Sequence, residues 1–477
     1  MNLNLLLLMA PLLAGQACLA QSAEVLPEAY AFLVKPYLQL GDHPRLSNPE
    51  RLAVNWQVPD IDAEWTVRYR PVQSKAWSTA AKPAYRRVAV RGVEPHRVYS
   101  AEFTSLSPAD EFDYAILKGG AVVFQARARA RRSDHHYYQF AVFGDCAQNS
   151  AGQRAIAYQT WLMKPDFVFI PGDIVYARGR IVEYGTKFFP IYNAEEASPA
   201  TGAPLLRSTL FIAGPGNHDI ASPDLEQFPD SLAYFYYWKQ PLNGPLKTAG
   251  AAGTPILKGP DADQQAFLAA AQGNFPQMGN FSFDYGNSHW LVLDSNKNVD
   301  WTKPELRQWV ADDLKANQGA KWRFVAYHHP GFNSSKAHFN DQWMRNLSDV
   351  FEEGKVSIVF AGHVHNYQRS YPLTFQTQSG GYNRNTGVTA GTWKLDKTYD
   401  GSTKTKPDGV IYLVTGAGGA GLYNPEQSDD RSSWQEFTTK FVSQTHSFTA
   451  VEVKDRELTV RQIAADGSEV DRFTVTQ

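Results

Sequence analysis

Five short segments in the middle of the chain bring potential metal ligands directly after apolar runs. The candidate residues are Asp145, Asp173 with Tyr176, Asn217 with His218, His328, and His363 with His365. Carboxylate and amide oxygens combined with imidazoles suit hard or borderline cations such as iron, manganese and zinc. Two such cations can share a bridging carboxylate, clamp a phosphoryl group and activate a bound water. The residue types therefore predict metal-assisted hydrolysis.

The order of the five segments carries this prediction, because each segment alone is weakly informative. A Gly-Asp pair such as Gly144-Asp145 is more often a turn than a site. The His-x-His spacing of His363 and His365 is a more specific metal signal. The sequence contains neither a Gly-x-Ser-x-Gly elbow nor a Gly-Lys-Ser/Thr phosphate loop, which removes two other routes to phosphate or acyl chemistry.

Nearly continuous apolar runs of strand length must position these residues. The runs are Tyr138–Phe143, Phe167–Ile170, Leu210–Ala213, Trp290–Leu293, Phe324–Tyr327 and Ser357–Ala361. Apolar residues on both faces of a strand indicate a covered sheet, as in α/β proteins. Because ligands bind beyond the carboxyl ends of strands in open α/β sheets, we expect the polar segments to converge there. The spacing of apolar residues from Pro304 to Leu314 predicts one covering helix.

The first part of the chain has a different pattern, in which short β-rich runs alternate with turn residues. The runs are Leu52–Val58, Trp65–Tyr69, Arg86–Val90, Arg97–Phe103 and Phe112–Leu117. Several short strands at this spacing predict an antiparallel sandwich of the immunoglobulin or fibronectin kind. Trp56 and Tyr114 are interpreted as residues of its core, although Tyr114 also stands where a tyrosine corner would.

The charged segment Ala128–His136 is the predicted domain boundary. We interpret its arginines as a solvated linker face: Arg127, Arg129, Arg131 and Arg132. Two later stretches, Pro241–Pro276 and Gln376–Pro407, are rich in glycine and in small or polar residues. Both are predicted to be long surface loops.

The complete set of motifs resembles the five blocks of the purple acid phosphatases, a branch of the calcineurin-like metallophosphoesterases. The blocks are Gly144-Asp145, Gly172-Asp173-x-x-Tyr176, Gly216-Asn217-His218-Asp219, Val325-x-x-His328 and Gly362-His363-x-His365. The segments Phe281–Gly286, His446–Thr449 and Pro36–Leu40 also fit the family. Tyr176 separates this branch from other metallophosphoesterases.

This resemblance implies a fold and a domain organisation. The expected fold is an all-β, fibronectin III-like N-terminal sandwich followed by an α/β metallophosphoesterase sandwich of two β-sheets flanked by helices. The expected domains are residues 30–130 for the first and 136–477 for the second.

The resemblance also implies roles for the candidate residues. Asp145, Asp173, Tyr176 and His365 are expected to hold Fe(III), with Asp173 bridging to a second divalent metal, Zn, Mn or Fe. The ligands expected to complete the second site are Asn217, His328 and His363. His218 is expected to face the phosphate. His338 is expected to contact the leaving group or substrate.

The implied activity is hydrolysis of phosphate monoesters by attack of a metal-bound hydroxide. Two alternatives remain open at this point. One is a phosphodiesterase or nucleotide hydrolase that uses the same metals, and the other is a non-catalytic surface binding protein. Small phosphorylated molecules are the expected partners of an enzyme of this kind, and the sequence does not indicate an oligomeric state.

One position departs from the family pattern. The first block usually continues Gly-Asp-x-Gly, whereas Cys146-Ala147 follows Asp145 here. We interpret Cys146 as a small buried residue, with altered metal preference or oxidation sensitivity as the alternative.

The start of the chain is typical of a cleaved export signal. An apolar stretch within residues 5–14 is followed by small residues, and Ala20 precedes a plausible cleavage point. Residues 1–20 are therefore predicted to be a signal peptide, and the protein to be secreted or periplasmic. No later run is long enough for a transmembrane anchor. The formal net charge of −2 does not favour a nucleic-acid-binding patch.

Overall fold

The computed structural model describes residues 32–134, 136–221 and 223–477. The predicted signal peptide, residues 1–20, lies outside these ranges. Within the described part of the chain, no helix combines the length and the apolar character needed to cross a membrane.

Residues 34–129 form an all-β unit of two four-stranded antiparallel sheets. Its strands are β1 (Val34–Gln39), β2 (Glu50–Pro59), β3 (Trp65–Pro71), β4 (Ser78–Thr79), β5 (Ala84–Val88), β6 (His96–Leu106), β7 (Glu111–Lys118) and β8 (Ala121–Arg129). The sheet orders are β1-β2-β6-β5 and β4-β3-β7-β8. Trp56 is fully buried and its ring lies 5.4 Å from that of Tyr99 and 5.7 Å from that of Trp65, so aromatic rings fill the core. The all-β fold predicted here is confirmed, while its fibronectin type and its limits stay predictions.

The remainder of the chain is built on two larger sheets. Its strands are β9 (Tyr138–Val142), β10 (Phe167–Pro171), β11 (Asn193–Ser198), β12 (Gly202–Pro204), β13 (Leu210–Gly214), β14 (Phe281–Tyr285), β15 (Ser288–Leu293), β16 (Trp322–Tyr327), β17 (Ile358–Ala361), β18 (Tyr367–Ser370), β19 (Leu373–Tyr382), β20 (Thr389–Leu395), β21 (Ile411–Thr415), β22 (Thr438–Val442), β23 (Ser447–Lys454), β24 (Glu457–Ala464) and β25 (Glu469–Thr476). Its α-helices are α1 (Ala151–Met163), α2 (Ile181–Glu183), α3 (Phe189–Tyr192), α4 (Asn217–Ile220), α5 (Tyr234–Tyr237), α6 (Asp261–Ala271), α7 (Pro304–Ala316) and α8 (Ser348–Glu353).

The two sheets pack face to face. The six-stranded sheet has the order β13-β10-β9-β23-β24-β25, and the seven-stranded sheet has the order β14-β15-β16-β17-β21-β18-β22. Strands β13, β10 and β9 run parallel in the first sheet, as do β15, β16, β17 and β21 in the second. The Trp290 ring of β15 lies 5.1 Å from Phe140 of β9 and 5.4 Å from Phe169 of β10, which joins the sheets through an aromatic core.

Helices cover the outer faces of this sandwich. Ile156 and Ala157 of α1 are buried in the same cluster as residues of β10, whereas Val310 and Leu314 of α7 are buried with residues of β15 and β16. The predicted helix at residues 304–314 is confirmed, with Pro304 at its first position. The fold class expected from the sequence, two β-sheets flanked by helices, is also confirmed.

Two predictions about loops are wrong in part: residues 241–260 and 396–407 contain no named helix or strand, but regular elements interrupt both stretches. Within Pro241–Pro276, residues 261–271 form α6, because Phe267 packs against Phe275 with ring centroids 5.0 Å apart. Within Gln376–Pro407, β19 and β20 form an antiparallel hairpin. The hairpin buries Phe375 on one side and leaves its many polar residues in solvent, so its sequence resembles a loop.

The interpretation of the arginine run as a solvated face is wrong for Arg131. Its guanidinium is fully buried and lies 2.7 Å from the Glu50 carboxylate, which is also fully buried. Arg131 additionally donates to the carbonyl oxygens of Arg45 and Asp284. This residue therefore joins the N-terminal unit to strand β14.

Polar contacts fasten the N-terminal sandwich to the larger unit. The Tyr37 hydroxyl donates to the carbonyl oxygen of Tyr237 at 2.8 Å, and the Tyr237 hydroxyl lies 3.0 Å from Nε2 of His96. The Tyr114 hydroxyl donates to the carbonyl oxygen of Arg207 at 2.8 Å. Tyr114 is thus a buried core residue whose hydroxyl bridges the two units.

We expect Arg131→Met to lower the free energy of unfolding by about 3–5 kcal/mol, because the change leaves the Glu50 carboxylate buried without its partner. Adding Glu50→Gln to that variant is expected to restore part of the loss. Urea unfolding monitored by tryptophan fluorescence measures both changes. As a control, Arg127→Met breaks an ion pair whose arginine side chain is 55% exposed, and about 1 kcal/mol or less is expected. Equal effects of the two arginine substitutions would contradict the assignment.

Candidate metal centre

The candidate ligands gather where the carboxyl ends of parallel strands from both sheets meet. The six-stranded sheet supplies Asp145 after β9, Asp173 and Tyr176 after β10, and Asn217 after β13, while the seven-stranded sheet supplies His328 after β16 and His363 and His365 after β17. All these residues except Asn217 are buried. The convergence expected from the strand ends is therefore present.

The first group of donors surrounds the hydroxyl of Tyr176. This oxygen lies 3.0 Å from Oδ1 of Asp145, 3.2 Å from Oδ2 of Asp173 and 3.0 Å from Nε2 of His365. Nε2 of His365 is also 3.4 Å from Oδ1 of Asp145. Two carboxylates, a phenol and an imidazole thus face one another at one place.

The second group surrounds Nε2 of His328. This nitrogen lies 3.0 Å from Oδ1 of Asn217 and 3.1 Å from Oδ2 of Asp173. Asp173, His328 and His363 also each offer a donor atom within 4.8 Å of the other two. Asp173 belongs to both groups, which is the position that a bridging carboxylate requires.

These separations fit cation binding. Neighbouring donors in an octahedral shell with bonds of about 2.1 Å lie about 3 Å apart. The donor-to-donor distances of 3.0–3.4 Å in the first group match this value. The donor set of carboxylate, phenol, amide and imidazole suits iron, zinc or manganese. The residues present therefore fit two cations bridged by Asp173.

Each of the three histidines is oriented by a contact of its other ring nitrogen. Nδ1 of His328 lies 2.9 Å from the carbonyl oxygen of Pro171, and Nδ1 of His365 lies 2.6 Å from that of Gly421. Nε2 of His363 lies 3.0 Å from the Asp341 carboxylate. Such outer acceptors hold one tautomer and aim the remaining nitrogen at a metal. This pattern is typical of metal-binding histidines.

The pKa values of the candidate ligands are also shifted by burial and by neighbouring charges. Burial raises the pKa of Tyr176 well above its usual value, and the Asp145 carboxylate adds to the effect. Burial alone would lower the pKa of His328, but Asp173 outweighs it and raises that pKa to about 9. Burial lowers the pKa of His363 to about 4, which leaves this imidazole neutral near pH 7. A cation bound here would take the place of the protons on Tyr176 and His328, and its binding would release them.

The backbone around the site adopts conformations that non-glycine residues rarely use. Asp145, Asp173 and His363 have φ values of 56°, 49° and 67°, in the left-handed region. Gly216 has no side chain because a Cβ atom there would lie 2.2 Å from both N and Oδ1 of Asp173. Strain of this kind persists where the surrounding structure holds it in place, and it concentrates at functional sites.

The two predicted catalytic histidines border the cluster. Nδ1 of His218 lies 2.8 Å from the carbonyl oxygen of Ala177, and its Nε2 is 3.8 Å from Oδ2 of Asp173. The His338 ring lies 4.0 Å from that of His363, with Nδ1 3.3 Å from Asp341. Both side chains are partly exposed to solvent, as substrate contact requires. Their catalytic roles, and the ligand roles given above, stay predictions.

Three neighbours of the centre were not predicted from the sequence. Asp341 contacts both His338 and His363, and the Tyr423 ring stacks on His365 with centroids 4.0 Å apart. The Ser295 hydroxyl accepts from the backbone N–H groups of His328 and His329. Ser295 follows β15, and its position after a predicted strand is the one sequence feature that could have indicated it. Asp341 and Tyr423 lie on loops that no strand pattern marks.

Cys146 points away from the donors. Its thiol is fully buried and donates to the carbonyl oxygen of Ile174 at 3.4 Å. Burial raises its pKa well above the usual value for a thiol. The geometry favours the packing interpretation of this residue over the metal one.

Comparison with known proteins identifies relatives of this architecture. Residues 133–367 match the family described as calcineurin-like phosphoesterase. The chain is 23% identical over 420 residues to a probable inactive purple acid phosphatase 1 of Arabidopsis thaliana, which covers 80% of this chain and 58% of that protein. It is 26% identical over 326 residues to a phosphoenolpyruvate phosphatase of Allium cepa, with coverage of 65% and 56%. The chain thus spans less than two thirds of the length of these two relatives.

A solved structure gives the same result at the level of the fold. The purple acid phosphatase PPD1 of yellow lupin (Lupinus luteus) superposes with a TM-score of 0.62 at 17% identity, covering 92% of this chain and 74% of that one. The resemblance to purple acid phosphatases that the motifs indicated is confirmed.

We expect Asp341→Asn to weaken metal binding about 10–100-fold, because the acceptor that orients His363 loses its charge. Titration of the metal-depleted protein with Zn²⁺ or Mn²⁺ measures the change. Asp349→Asn is a matched control, since that carboxylate is 58% exposed and pairs with Arg307 away from the centre. Equal metal affinity in the two variants would refute the role assigned to Asp341.

Proposed function

We propose that this chain, which contains a calcineurin-like phosphoesterase domain at residues 133–367, hydrolyses phosphate monoesters at a centre of two metal ions. One observation carries the proposal. Seven competent donors from the strand ends of two sheets converge at one place, and each of the three histidines among them has its other ring nitrogen held by an outer acceptor.

The donors divide between the two cations according to their contacts. Asp145, Tyr176 and His365 surround one position, where an Fe(III) ion suits a phenolate ligand. Asn217, His328 and His363 surround the other, for a divalent Zn, Mn or Fe ion, with Asp173 shared by both. When bound, the pair of cations neutralises phosphoryl charge and lowers the pKa of coordinated water.

His218 is suited to binding a phosphoryl oxygen. Its backbone N–H donates to Oδ1 of Asp173 at 2.8 Å, which fixes the residue against the bridging carboxylate. Because Nδ1 faces the carbonyl oxygen of Ala177, Nε2 is the ring atom left for the phosphoryl group. A histidine in this position stabilises the negative charge that develops during the reaction.

His338 is suited to protonating the leaving group. Asp341 contacts Nδ1 of His338 at 3.3 Å and orients the ring, so Nε2 is the atom available to an ester oxygen. In this arrangement Asp341 positions both a candidate ligand, His363, and the candidate acid, His338.

The alternatives left open by the sequence are separated by two measurements. Turnover of an aryl phosphate monoester and of the corresponding diester by the purified protein distinguishes the monoesterase from a phosphodiesterase. A non-catalytic binding protein would hydrolyse neither substrate. This alternative is kept because one relative is named a probable inactive purple acid phosphatase. We also infer from the apolar segment within residues 5–14 that the protein is exported.

We expect Asp173→Ala to lose both metals and to lower kcat/KM for an aryl phosphate at least about 100-fold, because the shared ligand is removed. Metal analysis by mass spectrometry and a turnover assay measure the two effects. Asp349→Asn again provides the control. A folded Asp173→Ala variant with full metal content and full turnover would sink the assignment.

We expect the iron-loaded protein to be coloured, because a phenolate bound to Fe(III) gives a visible charge-transfer band. Tyr176→Phe should abolish the band. Tyr423→Phe should retain it, because the Tyr423 ring stacks on His365 and, among the described residues, its hydroxyl makes no hydrogen bond to Asp145 or Asp173. Absorption spectra of the two variants at equal iron content test the assignment, and a band that survives in Tyr176→Phe would contradict it.

A further inference from the structure

Lys297 lies at the rim of the metal centre, on a loop whose two preceding residues are hydrogen-bonded to neighbouring segments. The preceding residue, Asn296, donates through its side chain to the carbonyl oxygen of Gly216, next to the candidate ligand Asn217. Ser295 accepts from the backbone N–H of His328 and its carbonyl oxygen accepts from the Trp343 indole. These hydrogen bonds fix the backbone from which the Lys297 side chain extends.

The Lys297 ammonium group is near the centre but only loosely engaged. Nζ lies 5.0 Å from the centroid of the Trp343 ring and 3.9 Å from Oδ1 of Asp341, and the side chain is 66% exposed. The Asp341 carboxylate lies closer to ring nitrogens of His338 and His363, at 3.3 Å and 3.0 Å. Its carboxylate therefore does not depend on Lys297, and the ammonium has hydrogen-bond donors left for another acceptor.

The other acidic groups of this loop are engaged elsewhere. Asp294 is buried and contacts the backbone and the side chain of Asn296. Asp300 pairs with Arg384 at 2.9 Å and accepts from Thr302. Among the described residues, Asp341 is the one carboxylate within 4 Å of the Lys297 ammonium. The exposed Lys297 side chain thus presents its ammonium group toward solvent.

The position of Lys297 relates this charge to the leaving group. Asp341 contacts His338 through Oδ2 and Lys297 through Oδ1. His338 is the residue assigned to the leaving-group oxygen, and Lys297 contacts the other oxygen of the same Asp341 carboxylate, so the two side chains are neighbours at the rim. On the basis of the proposed function, we propose that Lys297 selects phosphate esters whose leaving group carries a second anion, a carboxylate or another phosphate.

The inference is tested with a pair of substrates that differ in one charge. Para-carboxyphenyl phosphate and para-carbamoylphenyl phosphate have similar shapes, and the second lacks the anion. The preference is defined as the ratio of kcat/KM for the two. Comparison of this ratio between protein variants cancels the difference in leaving-group reactivity.

We expect Lys297→Gln to lower the preference about two- to fivefold, the range typical of an exposed ion pair. The loss is expected in KM, because a contact distant from phosphorus binds substrate and transition state alike. Lys297→Arg should retain the preference and Lys297→Glu should lower it further. Added salt should reduce the preference of the wild type. Lys394→Gln, at a lysine that is 78% exposed and paired with Asp408, is the matched control and should leave the ratio unchanged.

Binding of the matching para-carboxy and para-carbamoyl benzylphosphonates to the metal-loaded protein provides a readout that needs no turnover. A Lys297-dependent preference in binding without hydrolysis of either ester supports the inference and overturns the proposed function. Hydrolysis of both esters with an unchanged ratio in Lys297→Gln overturns the inference and leaves the proposed function standing. Failure of both phosphonates to bind overturns both.

Discussion

The buried carboxylate of Asp173 is the group on which the arrangement of the site depends. It is 1% exposed, and it lies against the Tyr176 hydroxyl and the His328 imidazole. Burial of a carboxylate costs several kcal/mol unless positive charge or hydrogen bonds surround it. Burial therefore opposes ionisation of Asp173, but His328 and the other nearby histidines outweigh it and hold its pKa well below the usual range. Since His328 comes from the opposite sheet, this charge also links the two halves of the sandwich.

A rigid core makes the strained loops of the centre possible. Residues in the left-handed region cost roughly 1–3 kcal/mol each, and three candidate ligands adopt it. The aromatic cluster around Trp290 packs the two sheets against each other a short distance below these loops. Close packing of this kind resists compression, so the core holds the strand ends in register with the donors about 3 Å apart. Binding loops on a rigid scaffold are a common solution to this problem.

The centre and its rim differ in burial and in the elements that supply their side chains. The buried donors follow the ends of strands, and in the proposed function they would hold the cations that bind the phosphoryl group shared by all phosphate esters. The rim is formed by loops and presents partly exposed groups such as His338 and Lys297. Asp341 connects the two regions, because its carboxylate contacts His363 inside and His338 and Lys297 outside. Asp341 therefore couples the candidate metal ligands to the partly exposed side chains of the rim.

The sequence alone determined the fold class and the set of candidate ligands, because local patterns of apolar and polar residues indicate both. Apolar runs define the strands, and each ligand follows a strand within a few residues, as Asp145 follows β9. Tertiary packing determined the features that local sequence patterns do not encode. The polar residues of β19 and β20 are typical of a loop, but the structure shows a hairpin anchored by the buried Phe375. Arg131 has the sequence context of a surface residue, but it is buried and paired with Glu50. Asp341 became recognisable only in the folded chain, because contacts between distant loops depend on how the two sheets pack and leave no periodic signal in the sequence.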